Sequence, residues 1–118
     1  MGIDVYLRWD GQTEKERQAQ YTGFSIASGH VGYLRESYSA TPFATYVLFP
    51  ENNRKFNPFV VPNALLIKRL PEALKFTKER YKGDKKAIAW ATKSIKDFVA
   101  LHGKLEKQGK NPKIAISG

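Results

Sequence analysis

Ser25, Ser28, His30, Tyr33, Arg35, Glu36 and Tyr38 crowd the glycine-punctuated stretch 25–38, which is thus rich in groups that donate, accept or shuttle protons. His30 is one of only two histidines and lies between Gly29 and Gly32, where a backbone can approach a ligand closely. A small ribonuclease or phosphodiesterase could use His30 as base and Arg35 to stabilise a phosphorane, with Tyr33 or Glu36 as partner. The competing reading is a polar loop with a surface histidine. No Gly-x-Ser-x-Gly motif is present, and a Ser–His pair needs an orienting carboxylate that spacing alone does not place.

Other chemistries find less support. His30 and His102 are far apart, the chain has no cysteine, and Asp4, Asp10 and Glu36 are scattered, so no metal is expected. His102 falls on an apolar stripe, where a histidine serves as a satisfied core residue. Gly29-His30-Val31-Gly32 has neither the Walker spacing nor a following Lys-Ser/Thr, and no cofactor is expected. The lack of cysteine also excludes disulfides and a thiolate nucleophile and fits a reducing compartment.

Charge offers a second kind of chemistry. The net charge of +9 is uneven: residues 1–53 hold four Lys/Arg against six Asp/Glu, and residues 54–118 hold sixteen against five. A field of that sign attracts nucleic acid or an acidic protein, although lysines also simply keep long helices in solution. Lys68, Arg69, Lys75, Lys78, Arg80 and Lys82 precede the candidate binding residues Lys86, Lys93, Lys96, Lys104 and Lys107. Few of these charges are arginine, and neither a helix-turn-helix nor an RNP-like strand motif accompanies them. Trp90 projects beside the lysine row and is expected to pack on the neighbouring helix near Leu101.

The elements that must position these groups follow from periodicity. Ile3, Val5, Leu7 and Trp9 alternate with Asp4, Tyr6 and Arg8, the pattern of a central strand with one buried face. Asp10-Gly11 turns the chain, and Thr13 with Glu16 forms a capping box that starts a helix over about 13–21. Residues 24–27 are extended, Ser28-Gly29 is a turn, and Gly32–Tyr38 is expected to form a helical turn. Ala44–Phe49 reads as a strand. Pro62 opens a helix that Pro71 must bend or restart, and Gly83 ends it. Asp84 caps the longest element, Lys85 to about Gln108, in which Ile88, Ala91, Ile95, Phe98, His102 and Leu105 form one stripe opposite the lysines. Asn111-Pro112 then turns into a last strand, Lys113–Ser117.

These elements predict a single α+β domain over 1–118. Its small mixed β-sheet has the N- and C-terminal strands adjacent and is covered by helices, the longest about residues 85–108. The opening MGIDVYLRWD is neither a secretory signal nor a myristoylation site, and no apolar run reaches a membrane span, so a cytoplasmic, soluble protein with no membrane partner is expected. The segments MGIDVYLRW, GHVGYLRESY and LPEALKFTKER resemble a set of small uncharacterised bacterial and phage proteins that open in the same way. The resemblance implies a compact domain and no particular activity. Three functions fit this sequence. The first is a non-enzymatic binding or accessory protein that sets its basic helical face on nucleic acid or an acidic protein. The second is a small hydrolase or nuclease with its site in 25–38. The third is a homodimerisation module joined through Phe56 and Phe59, which otherwise fold over the sheet of their own chain.

Overall fold

The computed structural model describes residues 2–26, 29–53 and 58–117. The chain runs β1 (Gly2–Arg8), α1 (Glu14–Thr22), β2 (Ser25–Ile26), β3 (Gly29–His30), β4 (Tyr33–Ser37) and α2 (Ala44–Leu48). After a 3-10 turn at Pro50–Asn53 come α3 (Asn63–Arg80), α4 (Lys85–Lys107) and β5 (Lys113–Ser117).

The alternation in β1 places Ile3, Val5 and Leu7 on one buried face, as a period of two requires. This strand is central: the sheet order is β4-β1-β5, with the two chain-terminal strands adjacent. Both pairings are antiparallel, so the main sheet is not mixed; Val5 faces Leu34 on one side and Ile116 on the other. β2 and β3 form a separate short ribbon. Phe59 bridges to Ile114 through two backbone hydrogen bonds, 2.9 and 2.8 Å, which cover the free edge of β5. Phe59 thus folds onto its own chain, partly buried against the core; Phe56 lies outside the described residues, as do Ala27, Ser28 and Asn57.

α2, α3 and α4 cover one side of the sheet. α4 turns Ala91, Ile95, Phe98, His102 and Leu105 inward, joined by Ser94 and Val99, while Ile88 is half-buried at the stripe's end. Asp84 caps this helix by accepting from the Ala87 N–H at 3.0 Å. α3 packs against α2 and α4 and continues through Pro71 without a break. At its start Asn63 donates to the Val99 carbonyl (2.9 Å) and to His102 Nδ1 (3.1 Å). Gly103 permits this approach, since a Cβ there would lie 2.7 Å from the Asn63 amide oxygen. α1 begins with the expected capping box, Glu16 N–H on Thr13 Oγ1 and Thr13 N–H on Glu16 Oε1.

Two elements differ from the sequence expectation. Residues 33–37 form a strand and not a helical turn, because β1 offers an open edge and Gly32, at φ +83°, swings the chain onto it. Residues 44–48 form a helix and not a strand. Ala44, Thr45 and Leu48 recur at helical spacing on its buried side, and the chain that delivers its cap comes from β4.

Gln20 ties α1 to the sheet. Its fully buried amide donates to the carbonyls of Leu7 (2.9 Å), Val31 (3.0 Å) and Gly32 (3.1 Å), and its Oε1 accepts from Arg8. The Gly32 carbonyl also accepts from the Leu7 N–H and the Leu7 carbonyl from Gln12, so Gln20→Leu fills similar space but strands chiefly the buried Val31 carbonyl and removes the acceptor of Arg8. It should cost about 1–3 kcal/mol in chemical denaturation, and an unchanged midpoint would show that the Val31 carbonyl finds another donor.

Candidate functional site

The stretch 25–38 does not assemble one centre. His30 lies at the end of β3 against α4, where its Nδ1 accepts from the Gly32 N–H at 3.0 Å. A backbone amide can only donate, so Nδ1 carries no proton and the neutral ring keeps its hydrogen on Nε2. That nitrogen meets Ser94 Oγ at 3.1 Å, and the imidazole therefore donates to the hydroxyl. A base that activated Ser94 would need the opposite tautomer. Burial pushes the His30 pKa down to about 4, with Asp97 opposing the shift and Lys93 adding to it. Phe98 presents a perpendicular ring at 6.0 Å.

Alternation along β4 separates the other candidates. Glu36 points inward and is buried, its two carboxylate oxygens accepting from the Ala44 (2.9 Å) and Thr45 (2.8 Å) N–H groups. It caps α2 from a distant strand, with its lone pairs directed at backbone. Tyr33 and Arg35 point to the other face of the sheet, where both donate to the same oxygen of Asp4 at 2.6 Å. Burial, then the hydrogen bond to Asp4, pushes the Tyr33 pKa up to about 12, so the phenol holds its proton at neutral pH. The cavities that reach His30 are lined by neither Arg35 nor Glu36. Among the described residues no three carboxylate, imidazole or thiol groups gather as a metal site requires.

The lysines behave differently. Lys86, Lys93, Lys96, Lys104 and Lys107 are all exposed on α4, opposite its buried stripe. Among the described residues only Lys93 of these five has a carboxylate partner, Asp97 one turn along at 2.7 Å. The arginines of α3 leave the basic surface. Arg69 is bound to Glu51 and the Leu48 carbonyl. Arg80 is buried, donating to the Ser37 and Ala40 carbonyls beneath the rings of Phe43 and Tyr81.

A feature that the sequence reading missed lies on the outer face of the sheet. Tyr6 and Tyr33 are directly paired across β1 and β4 and stack at 5.2 Å. Phe24 stacks on Tyr33 at 5.0 Å, and the Trp90 indole meets Phe24 edge-on at 4.7 Å. Tyr21 leans on Tyr6 at the far end, 5.6 Å away. Trp90 is thus 51% exposed beside Phe24, not packed on the neighbouring helix near Leu101, because Phe24, in the bend before β2, meets its ring edge-on. The signal for this series was the tyrosine on the polar phase of β1, which becomes meaningful only once the neighbour of that strand is known. A cleft of ≈ 320 Å³ opens next to it, with Phe24, Ser25, His30, Trp90, Lys93 and Asp97 on its walls.

No family model, curated protein or solved structure matches the chain. No helix among the described residues is long and apolar enough to cross a membrane.

The lowered pKa of His30 couples folding to pH. The unfolded imidazole, near 6.5, binds its proton before the folded one, so stability is complete above about pH 6.5 and declines as pH falls towards 4. With part of the ring in reach of water, the loss attributable to His30 is about 1–2 kcal/mol. His102, also lowered by burial, adds a loss of the same sign. Urea denaturation at pH 7 and pH 4.5 should show a smaller difference for His30→Gln than for the parent. An identical difference would assign the effect elsewhere.

Proposed function

We propose that this chain is a non-enzymatic nucleic-acid-binding protein that lays the lysine face of α4 along a phosphate backbone. The observation that carries the reading is the one-sided helix: its apolar stripe is consumed by the core while Lys86, Lys93, Lys96, Lys104 and Lys107 all stand in water. From Lys86 to Lys107 the helix rises about 32 Å, enough to follow several successive phosphates. Ammonium groups on flexible stems suit such contacts because they bind as point charges and demand no fixed geometry. The charge balance supports the reading, since the half of the sequence that contains α3 and α4 carries the excess of cations.

The hydrolase reading draws no comparable support. His30 meets Ser94, Tyr33 and Arg35 share Asp4 on the outer face of the sheet, and Glu36 holds the first amides of α2, so the four side chains converge on no common point.

Five lysines displacing counterions predict a slope of about −3.5 to −4.5 when log affinity for mixed-sequence RNA or DNA is plotted against log salt. Replacing Lys93, Lys96 and Lys104 together by Glu should reduce that slope by at least about 2, because each lost contact releases fewer ions. Fluorescence anisotropy over a salt series reads both quantities. Undetectable or salt-insensitive binding would reject the proposal, and salt-sensitive capture of acidic polypeptide alone would move it to a protein partner.

A further inference from the structure

We infer that the nucleic acid is single-stranded, and that one unpaired base enters the cleft between β3 and α4 against Trp90. This rests on the phosphate-binding reading above and assigns it a substrate class. Phe24 and Trp90 meet at 88°, so the cleft has two aromatic walls at right angles. A flat heterocycle can lie on one wall while its edge meets the other. Ser25, Lys93 and Asp97 place hydroxyl, ammonium and carboxylate groups around the same opening, where the donors and acceptors of a base edge would fall. The volume of ≈ 320 Å³ lies within the range of small-ligand sites.

Charge and helix geometry fix the path of the strand. Lys86 is four residues before Trp90 and Lys93 three after it, so both neighbour the indole on the helix surface. The phosphates on either side of a base held at Trp90 therefore fall on the lysine row. Behind Trp90, the rings of Phe24, Tyr33 and Tyr6 continue across the outer sheet face, with Arg8 5.1 Å over the Tyr6 ring. Directly paired with Arg8, Lys113 adds a second cation to that face. Duplex bases are already stacked on one another and cannot reach such a cleft. An unpaired base can, and stacking on an aromatic wall tolerates any sequence.

The test compares a mixed-sequence single strand with the duplex it forms with its complement, both measured by anisotropy at one salt concentration. The single strand should bind at least about tenfold more tightly, and Trp90→Ala should weaken it by about tenfold while leaving duplex affinity within about twofold. Trp90→Phe should keep most of the preference. In Trp9→Phe protein the remaining indole is Trp90, and its emission should be quenched by the single strand. Equal affinity for both forms, or a Trp90→Ala protein that binds the single strand like the parent, would overturn the inference while leaving the lysine-face proposal standing. Loss of all binding in the parent protein would instead remove that proposal and this inference with it.

Discussion

Burial of one face of β1 beneath the stripe of α4 is the constraint from which the remaining structure follows. Val5, Leu7 and Ile114 are completely enclosed, and Phe98 is enclosed with them. A fully buried side chain of this kind contributes about 1.5–3 kcal/mol, so this layer dominates what a domain of modest size can gather. Because successive strand residues point to opposite faces, committing Ile3, Val5 and Leu7 inward sends Asp4, Tyr6 and Arg8 outward. The helix obeys the same logic with a different period: burying Ile95 and Phe98 sends Lys93 and Lys96 into water. The surfaces available for binding are the complement of the core.

The buried polar side chains of the domain are engaged with backbone. Gln20 satisfies three carbonyls at the junction of α1, β1 and the turn before β4. Glu36 satisfies two N–H groups of a helix too short to bury its own terminus cheaply. Arg80 satisfies the carbonyl of Ser37 at the end of β4 and that of Ala40 in the loop that follows. Each is buried, and each replaces water that the core has excluded. A small sheet with short strands and irregular connections has many unpaired backbone groups, and polar side chains are the available means of pairing them. The same argument explains His30, whose tautomer is dictated by the Gly32 amide and whose proton faces Ser94.

What remains free to act lies at the margins of this framework. The lysine face of α4 and the ring series across the outer sheet meet at Trp90, where the helix surface touches Phe24. Asp4, the carboxylate in the middle of the outer face, is held by Arg35 and Tyr33, which limits its repulsion of an anionic partner. Polyanion attraction and aromatic contact are thus adjacent on one surface even though their residues come from α1, β1, the bend before β2, β4 and α4.

The sequence by itself determined the elements whose signals are local: the period of β1, the capping box of α1, the Asp84 cap and stripe of α4, the last strand, and the exposure of the lysines. Those follow from which neighbours along the chain share a face, and no distant contact is needed to read them. Tertiary structure alone decided the rest. Residues 33–37 became a strand because β1 had an open edge, and 44–48 became a helix because Glu36 reached its first amides. Arg35 and Glu36, adjacent in sequence, parted to opposite faces of the sheet once that strand formed. Trp90 met Phe24 because the ribbon that follows Phe24 set β3 against α4. In each case the deciding partner is remote in sequence, and its hydrogen bond or packing contact outweighs the weak local preference that the residues show alone.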